Sequence, residues 1–158
     1  ENNFDLDVSY KHEFDKKGHE LVFTGRFSTQ KEDEDGDVFK KKKADDFSTR
    51  ITDNLEDQKN IVITADYVKP IGEKGKFELG ARADFSDTKT NNKTFNLTDT
   101  GELVPDNNFF ANVDNKQNVI AAYTQYGNAI GEKFQYFAGL RLETSDMEIN
   151  NYTTNKKI

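Results

Sequence analysis

The chain has 158 residues, 34% of them hydrophobic and 32% charged, with a formal net charge of −7. An acidic chain with no Lys/Arg-rich face excludes a general nucleic-acid binder, and the absence of cysteine excludes disulfide frameworks, thiol catalysis and Cys-based zinc sites. So low an apolar content alone would suit a disordered chain, but 13 Phe and 6 Tyr are more rings than disorder tolerates.

The first element is a strand. Phe4, Leu6, Val8, Tyr10, His12 and Phe14 alternate with Asp5, Asp7, Ser9, Lys11 and Glu13, a period of two that puts rings on one face and charges on the other. Residues 15–19 turn the chain, with Gly18 suited to positive φ. Leu21, Phe23, Gly25 and Phe27 then resume the alternation against Val22, Thr24, Arg26 and Ser28. A second hairpin carries Ile61, Ile63, Ala65 and Tyr67, turns at 70–75 and returns through Phe77, Leu79, Ala81, Ala83 and Phe85. A third begins near Val119, turns at 127–133 and returns as Phe134, Tyr136, Ala138, Leu140 and Leu142. Its ascending strand is ambiguous in facing, because Ile120 and Tyr126 fall opposite Val119 and Tyr123.

These readings define an all-β antiparallel meander of about six long strands in a single segment over 1–158. The hairpins cover about 3–30, 59–87 and 117–145, and the polar stretches at 31–58 and 88–116 read as long connecting loops. Short turns alternate with long connections, which in a meander gathers all the short turns at one end. Strands of about 10 to 12 residues suffice to cross a hydrocarbon layer when tilted, whereas soluble strands average nearer 5 or 6. The pattern is that of part of a transmembrane β-barrel. No apolar run of 18 residues exists to form a helical span, a test that does not see strands. The start at Glu1 and the polar tail of 150–158 suggest a piece of a longer chain.

Three stretches carry a resemblance: 66–72 (DYVKPIG) with 77–82 (FELGAR), 9–14 (SYKHEF) and 138–143 (AGLRLE). They resemble barrel strands of the TonB-dependent receptor-like outer-membrane β-barrel family, and the similarity spans most of residues 3–145. In that family a barrel of about 22 strands surrounds a plug, and energy arrives through TonB. The resemblance implies a middle portion of barrel wall in the cell outer membrane, with no plug segment, no TonB-contact segment and no aromatic C-terminal residue. The partners it implies are the lipid bilayer, the rest of the barrel with its plug, and TonB through parts beyond this chain. Solute uptake is the function it implies. An excised sheet would expose two edges and an aromatic face, which invites association. The other reading is a soluble or surface-exposed β-sheet interaction module without transport activity.

Arg26, Arg82 and Arg141 on the polar face, with Asp66, Glu78, Asp84 and Glu143, are the lumen-facing candidates, either lining a ligand path or pairing among themselves. Tyr10, Phe14, Tyr67, Phe77, Phe134 and Tyr136 sit near the short turns, where an aromatic girdle would meet the membrane interface. Phe39, Phe47, Phe95, Phe109 and Phe110 fall in the long connections and offer rings to a ligand or to one another. The basic run of Lys40 to Lys43 reads as solvated loop. Asp33, Glu34, Asp35 and Asp37 cluster around Gly36 but lack EF-hand spacing. His12 and His19 have no spaced companion ligand, and no nucleophile motif occurs. No metal, cofactor or enzyme activity is expected.

Overall fold

The computed structural model describes all residues but 44, 45, 99, 132, 154, 155 and 158, and the side chains of all of these except 37–49, 107, 156 and 157. The elements are β1 (Asn2–Glu13), β2 (Glu20–Lys43), β3 (Asp46–Ile71), β4 (Gly75–Leu97), β5 (Leu103–Pro105), a 3-10 turn (Asn107–Phe109), β6 (Ala111–Ile130), β7 (Phe134–Asn151) and β8 (Lys156–Lys157). They form one antiparallel sheet in the order β1-β2-β3-β4-β6-β7-β8, with β5 beside β4. Six long strands thus follow one another as a meander, open at β1 and along most of β7.

The hairpins run past the ends that apolar alternation suggests, and 31–58 is not a long loop. β2 and β3 stay paired from Glu20↔Val68 to Lys43↔Asp46, with one register shift between Lys41 and Lys43. β3 and β4 pair from Ile71↔Gly75 to Thr49↔Leu97. Among the described residues of 88–116, only Thr98 and those from Thr100 to Phe110 leave the long strands, and β5 returns three of these to β4. Backbone ladders do not need apolar side chains. Beyond the apolar zone, Thr, Asn, Gln and opposite charges pair across strands and keep the ladder going.

The register assigns every side chain to a face. Phe4, Leu6, Val8 and Tyr10 lie opposite Thr29, Phe27, Gly25 and Phe23. The same face continues through Ile61, Ile63, Ala65 and Tyr67 to Phe85, Ala83, Ala81 and Leu79, then to Ile120, Ala122, Thr124 and Tyr126 and on to Leu142, Leu140 and Ala138. This settles the ambiguous strand: β6 shows Ile120 and Tyr126 on the apolar face and Val119, Ala121 and Tyr123 on the polar one. Ala121 is the one buried hydrophobic residue among those described. A single sheet layer with no second layer packed on it leaves its apolar side bare, and Leu140 and Leu142 are 77% and 79% exposed.

The short turns share one end and are tied together there. In the first, Gly18 adopts φ 78°, which a side chain would disfavour. Lys16 Nζ donates to the Pro70 and Gly72 carbonyls of the second turn, each at 3.2 Å. Lys74 Nζ in turn donates to Gly131 O of the third at 2.9 Å.

Candidate functional site

On the polar face the side chains satisfy one another across strands. Arg26 Nε donates to Asp7 Oδ1 at 2.6 Å, bridging β2 to β1. Lys11 reaches both Glu13 and Glu20 at 2.8 Å, and Thr24 and Thr64 share a hydrogen bond of 2.6 Å. Tyr123 O–H donates to Asp66 Oδ1 at 2.6 Å, spanning β6 to β3 across β4. It can do so because its ring lies on Gly80, where a β-carbon would collide with it. Gln125 donates to Glu78 at 2.9 Å, and Lys76 pairs with the same carboxylate at 2.7 Å.

All seven polar candidates, Arg26, Asp66, Glu78, Arg82, Asp84, Arg141 and Glu143, therefore lie on this one face, but not as a single ladder of arginines and acids. Arg82 pairs with Asp84 at 2.7 Å and Arg141 with Glu143 at 2.6 Å, each along its own strand. Asp66 and Glu78 turn to Tyr123, Gln125 and Lys76 instead.

The six aromatic candidates share the opposite face at the short-turn end. Phe14 stacks on His19 at 4.0 Å and meets Tyr67 edge-on at 6.3 Å, while Tyr67 O–H and His19 Nε2 share a hydrogen bond of 2.9 Å. Phe134 and Tyr136 lie 6.4 Å apart and Tyr126 joins Tyr136 at 6.3 Å. Phe77 sits opposite Tyr126, and Tyr10 opposite Phe23.

At the far end, residues 98–110 are pinned to the polar face by Asp106. Its Oδ2 accepts from Asn96 Nδ2 at 3.0 Å and from Arg50 Nη2 at 3.4 Å, and its Oδ1 accepts the Asn108 backbone N–H at 3.3 Å. The Asn96 amide beside it, then the Asn108 donors and the Arg50 charge, hold the Asp106 carboxyl below its usual range against a smaller opposing effect of burial. Arg50 in turn lies 4.1 Å from the Phe109 ring centre, and Phe95 meets Phe110 edge-on at 6.1 Å. These rings pack the connection together. Phe39, Phe47, Asp37 and Lys40 to Lys43 have side chains outside the described ones. Asp33, Asp35 and Asp53 bring carboxylates within 4.8 Å of one another, with Lys93 facing Asp53 across the ladder.

Sequence reasoning missed Tyr123, the turn-bridging lysines and the Arg50–Asp106 clamp. Partners 54 to 57 residues apart leave no local signal. It also passed over an Asp-x-Lys triplet at 57–59, 87–89 and 114–116, which was visible as a repeat.

The chain matches the outer membrane protein beta-barrel family over residues 12–158. No curated protein matches it. Among solved structures it is similar to the crystal structure of the ferric citrate transporter FecA in the unliganded form, with a TM-score of 0.63 at 15% identity. The alignment covers 98% of this chain and 22% of that one, so this chain spans about a fifth of that transporter and its likeness is one of fold. Two chemically opposite faces on one long-stranded meander, matched by the family over almost the whole length, make this chain a member of the outer membrane protein β-barrel family, resident in the cell outer membrane.

Proposed function

We propose that residues 1–158 are one segment of the wall of an outer-membrane receptor that takes up a scarce solute in the TonB-dependent manner, its apolar face toward lipid and its polar face toward the lumen. The observation that carries this reading is the partition of faces over six strands. Phe77 to Phe85 of β4 spans roughly 27 Å along the strand at about 3.3 Å per residue, and a barrel tilt of 35–45° reduces that to about 20 Å, close to the apolar band of such barrels. On this reading Tyr10, Phe14, Tyr67, Phe77, Phe134 and Tyr136 form the girdle at the short-turn interface. Arg26, Asp66, Glu78, Arg82, Asp84, Arg141 and Glu143 line the lumen as a charged, self-paired surface. The rest of the barrel continues from the free edges of β1 and β7, a plug fills the lumen, and TonB engages parts beyond this chain. The chain performs no catalysis of its own.

Two measurements test it. The chain has no tryptophan, so Leu79→Trp and Arg82→Trp place a reporter on either face; brominated acyl chains should quench the first and spare the second. For uptake, cells lacking the protein should lose energy-dependent accumulation of one solute from a panel of metal chelates and small nutrients. Quenching without any such loss would leave a barrel wall and refute the transport role.

A further inference from the structure

Beyond the apolar band, β4 and β6 carry a cleft on the same side of the sheet as Phe85 and Ile120. Asn91 and Asn112 face each other there across the ladder. From Phe85 to Asn91 the strand climbs roughly 20 Å at about 3.3 Å per residue, or roughly 15 Å along the membrane normal at barrel tilt, so the cleft stands clear of the hydrocarbon. It has a volume of about 290 Å³, and both asparagines, Lys93, Thr153, Phe110 and Tyr152 line it.

The two rings are held in place without a ligand. Phe110 meets Phe95 edge-on at 6.1 Å. The Tyr152 N–H donates to Asn112 O at 2.9 Å, the Asn112 N–H donates to Thr153 Oγ1 at 2.8 Å, and the Tyr152 hydroxyl donates to Asp114 Oδ2 at 3.3 Å. Tyr152 nonetheless remains 54% exposed. Among the described residues, the side-chain amides of Asn91 and Asn112 have no hydrogen-bond partner within 3.5 Å, and no carboxylate lines the cleft.

This chemistry selects among ligands. A metal ion or cationic group finds no carboxylate, and the one ammonium group, on Lys93, faces Asp53 across the ladder, which disfavours an anion. At Asn91 the backbone is bonded to strands on both sides, so a peptide cannot add as a further strand. What remains is apolar ring surface beside two amides, each offering a donor and an acceptor. Apolar walls with a few placed polar groups are the usual make-up of a small-molecule site. A pyranose matches both parts, with a C–H face for a ring and adjacent hydroxyls that donate and accept.

We infer that this cleft binds a neutral saccharide unit outside the cell. One sugar ring rests on Tyr152 and its hydroxyls bridge Asn91 and Asn112; the unit belongs to a soluble oligosaccharide or to a glycan of the cell surface. The inference rests on the reading that this end of the strands stands outside the cell.

The test uses the full-length protein in a detergent without a sugar headgroup, applied to arrayed hexasaccharides of glucose, galactose and mannose and to polysaccharide stripped from the same cells. Binding to a hexasaccharide supports the site and marks a soluble ligand, binding to the stripped polysaccharide alone supports it and marks a surface glycan, and binding to neither overturns it. Tyr152→Ala, and Asn91→Ala with Asn112→Ala, should each weaken binding by about tenfold. Tyr152→Phe keeps the ring but loses the bond to Asp114, and should bind within about twofold of the unaltered protein. Equal binding by Tyr152→Ala and the unaltered protein overturns the site, and so does an equal loss in Tyr152→Phe, which would make Tyr152 a structural tether only. Labelling of a Glu102→Cys variant on intact cells by a membrane-impermeant maleimide separates the failures: no labelling means that the orientation is wrong, whereas labelling without saccharide binding removes the cleft alone.

Discussion

Gly80→Ala tests the packing of the polar face most directly. A methyl there would stand 2.5 Å from Tyr123 Cζ and 2.7 Å from Asp66 Oδ1, so the ring must leave its seat and the 2.6 Å bond to Asp66 must break. Overpacking costs about 1–3 kcal/mol, and a hydrogen bond to a charged group contributes about 1.5–3 kcal/mol. Because one movement of Tyr123 relieves the first while forfeiting the second, the two do not add in full, and a loss of about 3 kcal/mol is expected. Urea unfolding of the protein reconstituted in bilayers measures it. Tyr123→Phe, which keeps the ring and loses the bond, should cost about half as much. In a Tyr123→Ala background the added methyl should cost well under 1 kcal/mol, since the ring it strikes is gone. A Gly80→Ala midpoint within about 0.5 kcal/mol of the unaltered protein would show that the ring does not rest on Gly80, and the account of this face would fail.

Leu140→Arg, on the apolar face, should cost about 2–4 kcal/mol in a bilayer and far less in a detergent that thins around it, with unfolding midpoints as the readout. Lys16→Ala together with Lys74→Ala should speed amide exchange at the short turns while shifting the global midpoint by about 0.5 kcal/mol or less, since all three bonds are solvent-exposed. The lowered Asp106 carboxyl stabilises residues 98–110 fully above its unfolded pKa of about 3.9 and progressively less as pH falls through the folded value. Proteolysis within 98–110 should therefore increase below about pH 4, and Asp106→Asn should abolish that dependence.

The strands and their faces were legible because a period of two over nine or ten residues has no helical counterpart. Phe77 to Phe85 needed nothing beyond the residues themselves. β6 was not legible in this way, since Val119, Ala121 and Tyr123 are as apolar as Ile120, Ala122 and Tyr126. Tertiary chemistry decided it: Asp66 offers an acceptor and Gly80 a vacancy for the Tyr123 ring, and both lie on the polar face. The ladder through 31–58 was hidden for a different reason. Its stability comes from pairs such as Lys31 with Asp57 and Thr52 with Thr94, which look like loop composition until their partners are known. The Arg50–Asp106 clamp joins residues 56 positions apart and depends on β5 folding back on β4.

The register of β3, unbroken against β2 from Phe47 to Val68 and against β4 from Thr49 to Ile71, has a mechanical consequence. It is bonded on both sides for most of its 26 residues, so sliding by one position would break the ladders to both neighbours and send Ile61, Ile63 and Tyr67 to the charged side. Slippage is closed to this wall as a mode of motion. A force applied at the end away from the short turns instead tilts the ribbon as a stiff lever, and the part able to yield there is the stretch from Thr100 to Phe110, tethered through Asp106 to Asn96 and Arg50.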